Sequence, residues 1–98
     1  MNIAEIQQAC QQLKASWQFL FGDLGLNAEP TSRQYQVWVN LYGVAHTEQG
    51  FQRANVWVSK KQKEGRRVTM DDLVRYASAC ARNLKEEAGN VETKSASL

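Results

Sequence analysis

Gln36-Val37-Trp38-Val39-Asn40 and Asn55-Val56-Trp57-Val58-Ser59 are two versions of one phrase, 19 residues apart. Taken alone, each version favours a β-strand, because β-branched and aromatic side chains suit a pleated surface. The residues around each version favour a helix instead. The fold class therefore depends on these flanking residues.

The flanks of the first version contain signals for the start and the end of a helix. Thr31 offers a hydroxyl that can cap a helix, and Gln34 follows at the spacing of a capping box. Gly43 stands where helices often end with glycine, and Trp38 would lie on the apolar face between these points. We predict a helix near 32–42.

The second version has flanks of the same kind. Thr47 can cap a helix, and Gly65 marks its end. Between them, Phe51 and Val58 would share one face of the helix, since they are two turns apart. We predict a helix near 48–64.

The alternative is an α+β fold with a hairpin. In that fold, residues 34–42 and 52–59 form two antiparallel strands with alternating apolar side chains. The connection from Gly43 to Gly50 contains none of the dipeptides that favour tight hairpin turns. The helical interpretation is therefore favoured over the hairpin.

Two further helices are predicted at the ends of the chain. The first, near 2–22, carries an apolar seam whose members recur every three or four positions: Ile3, Ile6, Cys10, Leu13, Trp17, Leu20 and Leu24. The last, near 70–87, begins after Thr69, and Asp71-Asp72 in its first turn suit the positive end of the helix dipole.

These helices predict an all-α fold, a compact four-helix domain within residues 1–89. The seam of the first helix is expected to pack on the last helix of the same chain, with a weak homodimer through that seam as the alternative. Residues 90–98 are small and polar and are predicted to form a disordered tail. The expected core contains Ile6, Leu13, Trp17, Leu20, Trp38, Val58, Leu73, Ala77, Cys80 and Leu84.

Positive charge is concentrated in one segment of the chain. The net charge is +2, but residues 53–67 contain six basic residues and one acidic residue, which leaves −3 on the rest. Such a cluster can attract nucleic acid, an acidic protein or an anionic surface. Trp57 lies within it and could add a stacking or anchoring ring if it is exposed. The predicted binding residues are Arg53, Trp57, Lys60, Lys61, Lys63, Arg66 and Arg67.

No catalytic or metal-ligand pattern stands out in the sequence. The single histidine, His46, falls in a predicted loop with no cluster of acidic or cysteine residues around it. Asp71-Asp72 is explained by helix-start electrostatics. Cys10 and Cys80 lie in apolar helical patterns and lack metal-ligand spacing, which predicts reduced thiols. We expect a protein that is not an enzyme and that uses no cofactor or metal.

Membrane insertion and export are also not expected. No apolar run reaches the length of a membrane span, and Glu5 interrupts the segment in which a signal peptide would be apolar. The sequence therefore predicts a cytoplasmic location.

Several segments resemble a group of phage proteins. The similarity is to small helical domains of phage or prophage proteins, some of them linked to DNA replication. It is carried by Ser32-Arg33-Gln34-Tyr35, Val37-Trp38-Val39, the run from Asp72 to Ala79 and the pair Arg82-Asn83. The resemblance covers roughly residues 32–84. It implies a phage-type helical adaptor that contacts a replication protein or nucleic acid.

The predicted function is that of a small non-enzymatic binding or adaptor protein. Its modest net charge and two acidic helix starts favour a partner protein. The alternative is a nucleic-acid-binding module that uses the basic segment 53–67.

Overall fold

The described part of the chain folds into three helices. The computed structural model describes the backbone of residues 2–24 and 29–97, and side chains as far as Gly89. Helix α1 spans Ile3–Phe21, α2 spans Ser32–Lys63 and α3 spans Met70–Ser97. The described residues contain no strand, so the all-helical prediction is confirmed and the hairpin of 34–42 with 52–59 is wrong.

The prediction of four helices is also wrong, because α2 contains both predicted inner helices, 32–42 and 48–64, without a connecting loop. Gly43 has φ 77° and ψ 169°, whereas the residues on both sides of it are helical. The glycine therefore bends the helix and does not end it. The two versions of the repeated phrase lie on either side of this kink.

Side chains beside the kink bond to the backbone of the preceding turn. The hydroxyl of Thr47, predicted to be a helix cap, is buried inside α2 and donates a 2.7 Å hydrogen bond to the carbonyl of Gly43. Bonds of this type often accompany helix bends. His46 was predicted to lie in a loop, yet it is half-buried in α2, with Nδ1 3.2 Å from the carbonyl oxygen of Tyr42.

Changing Gly43 to alanine is expected to destabilise the fold. Its positive φ lies in a region that L-residues rarely adopt, and holding such a residue there costs about 1–3 kcal/mol. An L-Cβ at Gly43 would meet no atom of the described residues within 4 Å, so the expected loss comes from the backbone conformation and not from a clash. D-alanine favours positive φ, so the same position with D-alanine should keep stability closer to that of the wild type. Urea unfolding of synthetic chains measures both. Equal losses in the two variants would contradict this explanation of the kink.

The predicted caps of α2 and α3 are present. The amide of Gln34 donates to the Thr31 hydroxyl at 3.1 Å. At the start of α3, the amide of Asp72 donates to the Thr69 hydroxyl at 3.1 Å, and the Thr69 amide donates to the Asp72 carboxylate at 3.3 Å. Gly65, with φ 76°, follows the end of α2 as predicted.

Helix α2 is the centre of the fold. Helix α1 packs on α2, and α2 packs on α3, whereas α1 and α3 do not pack on each other within the described residues. The prediction that the first helix packs on the last is therefore wrong. Helix α2 lies between α1 and α3. It can pack on both of them because it presents apolar side chains before its kink as well as after it.

An aromatic cluster fills the junction of α1 and α2. The ring of Trp38 is fully buried and lies 5.9 Å from Trp17 and 5.0 Å from Phe51, measured between ring centroids. The indole of Trp38 also donates to the hydroxyl of Ser78 at 2.8 Å, which ties α2 to α3. Most of the predicted core is buried, namely Leu13, Trp17, Trp38, Val58, Leu73 and Ala77.

The buried face of α1 differs from the predicted seam. Its buried residues are four apart, Ala9, Leu13, Trp17 and Phe21. Four predicted core residues are only half-buried: Ile6, Leu20, Cys80 and Leu84. The seam residue Ile3 is 76% exposed. The helix is rotated towards Phe21 because that ring joins the aromatic cluster, 4.4 Å from Trp17.

Two predictions fall at the edges of the described chain. Residues 25–28 of the connection between α1 and α2 lie outside the described residues. Helix α3 runs past its predicted end at residue 87. The predicted disordered tail, 90–98, begins where the description of side chains ends, so its disorder stays a prediction.

Candidate binding cleft

A cleft lies between the second half of α2 and the first half of α3. It has a volume of about 460 Å³, and the loop that joins the two helices contributes to its lining. We call this the α2–α3 cleft. Its lining residues are Trp57, Lys61, Arg66, Arg67, Val68, Asp72, Arg75 and Tyr76.

Two stacked rings form the aromatic wall of the cleft. Trp57 and Tyr76 are nearly parallel, with an interplanar angle of 7° and ring centroids 4.3 Å apart. Both are half-buried and pack against the core, yet both still line the cleft. Trp57 is thus neither a fully buried core residue nor a free surface ring. The stack holds the wall rigid across the two helices.

The positive charges of the cleft fall into two groups. The carboxylate of Glu64 forms ion pairs with both Lys61 and Arg66. Its Oε2 atom lies 4.0 Å from Nζ of Lys61 and 3.6 Å from Nε of Arg66. Arg67 and Arg75 are exposed, and neither has an ion-pair partner among the side chains described up to residue 89. Two guanidinium groups are therefore available to an anionic ligand.

The one carboxylate that lines the cleft has a structural role. Asp72 accepts a hydrogen bond from the Thr69 amide and so completes the capping box of α3. This bond holds the charge at the positive end of the helix dipole, where it is stabilised. Asp72 also lowers the net positive charge of the cleft. The cleft therefore contains arginine side chains that can bind an anion and one carboxylate that would repel it.

Tyr76 and Cys80 are uncharged at neutral pH. Burial raises the pKa of Tyr76, and the neighbouring Cys80 adds to the rise, whereas Arg53 opposes it. Burial also raises the pKa of the Cys80 thiol, again against the effect of Arg53. The Tyr76 ring therefore contributes an apolar face to the cleft and no negative charge.

The cleft contains some of the predicted binding residues and not others. Four residues of the predicted basic segment line the cleft, namely Trp57, Lys61, Arg66 and Arg67. Arg53 lies outside it, near Tyr76 and Cys80, and the exposed Lys60 and Lys63 also do not line it.

Sequence reasoning missed half of the lining. Val68, Asp72, Arg75 and Tyr76 belong to the loop and to α3. Tyr76, like Arg75, lies outside the basic segment 53–67. Its stacking on Trp57 depends on how α2 and α3 pack, and no local pattern predicts it.

A second exposed surface lies on the side of α1. Phe19 is 87% exposed and Val56 is 71% exposed. Gln52 lines small depressions next to both of them. We call Phe19, Gln52 and Val56 the outer face. Glu48 and Arg53 line the same depressions beside these side chains.

Searches for metal sites, membrane spans and related proteins were negative. Within residues 2–24 and 29–89, no group of three or more His, Cys, Asp or Glu side chains is arranged to hold a metal ion. None of the helices, as far as they are described, is long and apolar enough to cross a membrane. Comparison with protein-family models, curated proteins and solved structures returned no significant match.

Proposed function

We propose that this chain is a small non-enzymatic adaptor that binds a partner protein through the α2–α3 cleft. The observation that carries the proposal is the placement of Arg67 and Arg75, two arginines without ion-pair partners in the described chain, beside the Trp57–Tyr76 wall. Tryptophan, tyrosine and arginine are the residues that most often dominate binding energy at protein interfaces.

A protein partner is favoured over nucleic acid by the distribution of charge. Glu64 is bonded to both Lys61 and Arg66, which interrupts the positive surface in its middle. Nucleic acid binds best to a continuous series of cations, since each neutralised phosphate adds to affinity. In addition, Trp57 and Tyr76 each cover one side of the other ring, so a nucleic-acid base could stack only on the side of either ring that points away from the pair.

The cellular setting follows from the sequence. The resemblance of residues 32–84 to helical phage proteins suggests a partner that takes part in DNA replication. The cytoplasm is the proposed location, and the free cysteines Cys10 and Cys80 suit its reducing conditions.

Charge reversal in the cleft is expected to abolish partner capture. The variant Arg67→Glu with Arg75→Glu should lose a partner that the wild-type chain captures from nuclease-treated lysate of the cell that encodes it. Removing interface arginines typically costs about 1–4 kcal/mol, or tenfold or more in affinity. The control, Lys60→Glu with Lys63→Glu, changes the net charge equally outside the cleft and should retain capture. Capture of the same protein by both variants would contradict the proposal.

Direct nucleic-acid binding is the second candidate. It is supported by Lys60 and Lys63, which are exposed next to the cleft and extend its positive charge along α2. In this case affinity for single-stranded DNA should fall steeply with salt, and Lys60→Glu with Lys63→Glu should weaken it as much as the cleft variant. Gel shifts at low and high salt measure this. An absence of binding at low salt would eliminate this candidate.

A further inference from the structure

We infer that the α2–α3 cleft recognises a short acidic segment of its partner that carries one large apolar side chain. This inference rests on the proposed function and specifies the chemistry of the partner. The apolar side chain would pack on the wall of Trp57 and Tyr76, and acidic side chains next to it would pair with Arg67 and Arg75. A segment of this kind matches the cleft in both shape and charge.

The shape of the cleft suits a single inserted side chain. Its volume of about 460 Å³ is sufficient for one aromatic or branched side chain. Val68 lines it together with the two rings, so an inserted group would contact apolar surface from both helices and the loop. An aromatic ring would extend the existing stack, because an offset or edge contact with a third ring is favourable.

The charges of the cleft suit carboxylates on either side of that anchor. Arg67 belongs to the loop and Arg75 to α3, so their guanidinium groups come from different elements of the cleft. Each can form a two-point contact with a carboxylate, and neither has to break an ion pair first. Lys61 and Arg66 would have to leave Glu64 to bind an anion, so they contribute less.

The carboxylate of Asp72 sets the spacing of the acidic groups. It lines the cleft one helical turn before Arg75 and is held in place by the Thr69 amide. An acidic group of the partner placed beside Asp72 would be repelled, whereas the apolar anchor would not. The acidic groups of the partner therefore reach Arg67 and Arg75 from the side that faces away from Asp72, while the anchor packs on Trp57 and Tyr76.

Fluorine NMR of the full chain tests this inference. Tryptophan occurs three times, so a chain labelled with 5-fluorotryptophan has one signal each for Trp17, Trp38 and Trp57. The first two rings are buried and serve as internal references. The probe is the peptide Glu-Asp-Phe-Glu-Asp. Control probes replace Phe with Ala, or replace the acidic residues with Gln and Asn, and a fourth probe is oligothymidine of equal charge.

The acidic peptide with Phe should shift the Trp57 signal alone. Either peptide control, and the variant Arg67→Gln with Arg75→Gln, should weaken binding about tenfold or more, whereas Lys60→Gln with Lys63→Gln should change it much less. Tighter binding of oligothymidine would overturn the inference in favour of nucleic acid. So would equal affinity of the two charge variants. If no peptide shifts Trp57 while partner capture still depends on Arg67 and Arg75, the acidic segment is wrong and the proposed function stands.

Discussion

Replacing Trp38 with alanine is expected to lower the free energy of unfolding by about 3–5 kcal/mol. The indole is 0% exposed and contacts three other rings, those of Trp17, Tyr35 and Phe51. Its removal leaves a cavity between α1 and α2 and also breaks the bond to Ser78, which connects α2 to α3. One residue thus supports both helix junctions.

The matched control for Trp38 is the other member of the repeated phrase. Trp57 is half-buried at the edge of the α2–α3 cleft and stacks on Tyr76 alone. We therefore expect Trp57→Ala to lose less than half as much stability as Trp38→Ala, measured by urea unfolding followed by circular dichroism. Similar losses in the two variants would contradict the unequal roles of the two tryptophans.

Replacing Gly50 with alanine should destabilise the fold, although alanine is the better helix former. A methyl group at Gly50 would lie 2.8 Å from the carbonyl oxygen of Ala77 and 3.0 Å from the amide nitrogen of Ala81. Both are backbone atoms of α3, so the helices would have to separate. Overpacking of this kind costs about 1–3 kcal/mol, and the gain in helix propensity, about 1 kcal/mol, offsets only part of it.

Gly89 provides the opposite case on the same helix that Gly50 contacts. A Cβ at Gly89 would meet no atom of the described residues within 4 Å, so Gly89→Ala should raise stability by up to about 1 kcal/mol. Thermal unfolding of the two variants should therefore give midpoint shifts of opposite sign. A rise in the midpoint for Gly50→Ala would show that α2 and α3 are not packed as closely at this point as the structure indicates.

Local signals in the sequence predicted the starts of α2 and α3 well, although the start predicted after Thr47 was wrong. The caps at Thr31 and Thr69 depend on a side chain and a backbone amide three residues later, and such contacts can be recognised without knowing the fold. The end of α2 at Gly65 is local for the same reason. The burial of Trp38 was also predicted from its place on an apolar helix face, whereas the binding role predicted for Trp57 stays a prediction.

The number of helices could not be predicted from the same signals. A glycine that ends a helix and one that bends it look alike in sequence, and Gly43 bends α2 because both halves then pack on neighbouring helices. Gly50 permits close contact with α3, and no local pattern in the sequence indicates this role. Both outcomes are set by tertiary packing.

The cleft was predictable only in part, for a related reason. Lys61, Arg66 and Arg67 lie in one basic segment that can be identified by composition. Arg75 and Tyr76 come from the next helix, and they join the segment only because α3 packs on α2. The sequence therefore indicated one side of the cleft, and the fold supplies the other.

Hydroxyl-radical footprinting of the chain bound to its captured partner tests the role of the cleft most directly. Trp57 and Tyr76 line the cleft, whereas Phe19 belongs to the outer face and is 87% exposed in the free chain. We expect oxidation of Trp57 and Tyr76 to fall on binding while oxidation of Phe19 stays unchanged. Protection of Phe19 with unchanged oxidation of Trp57 and Tyr76 would place the partner on the outer face and contradict binding through the cleft.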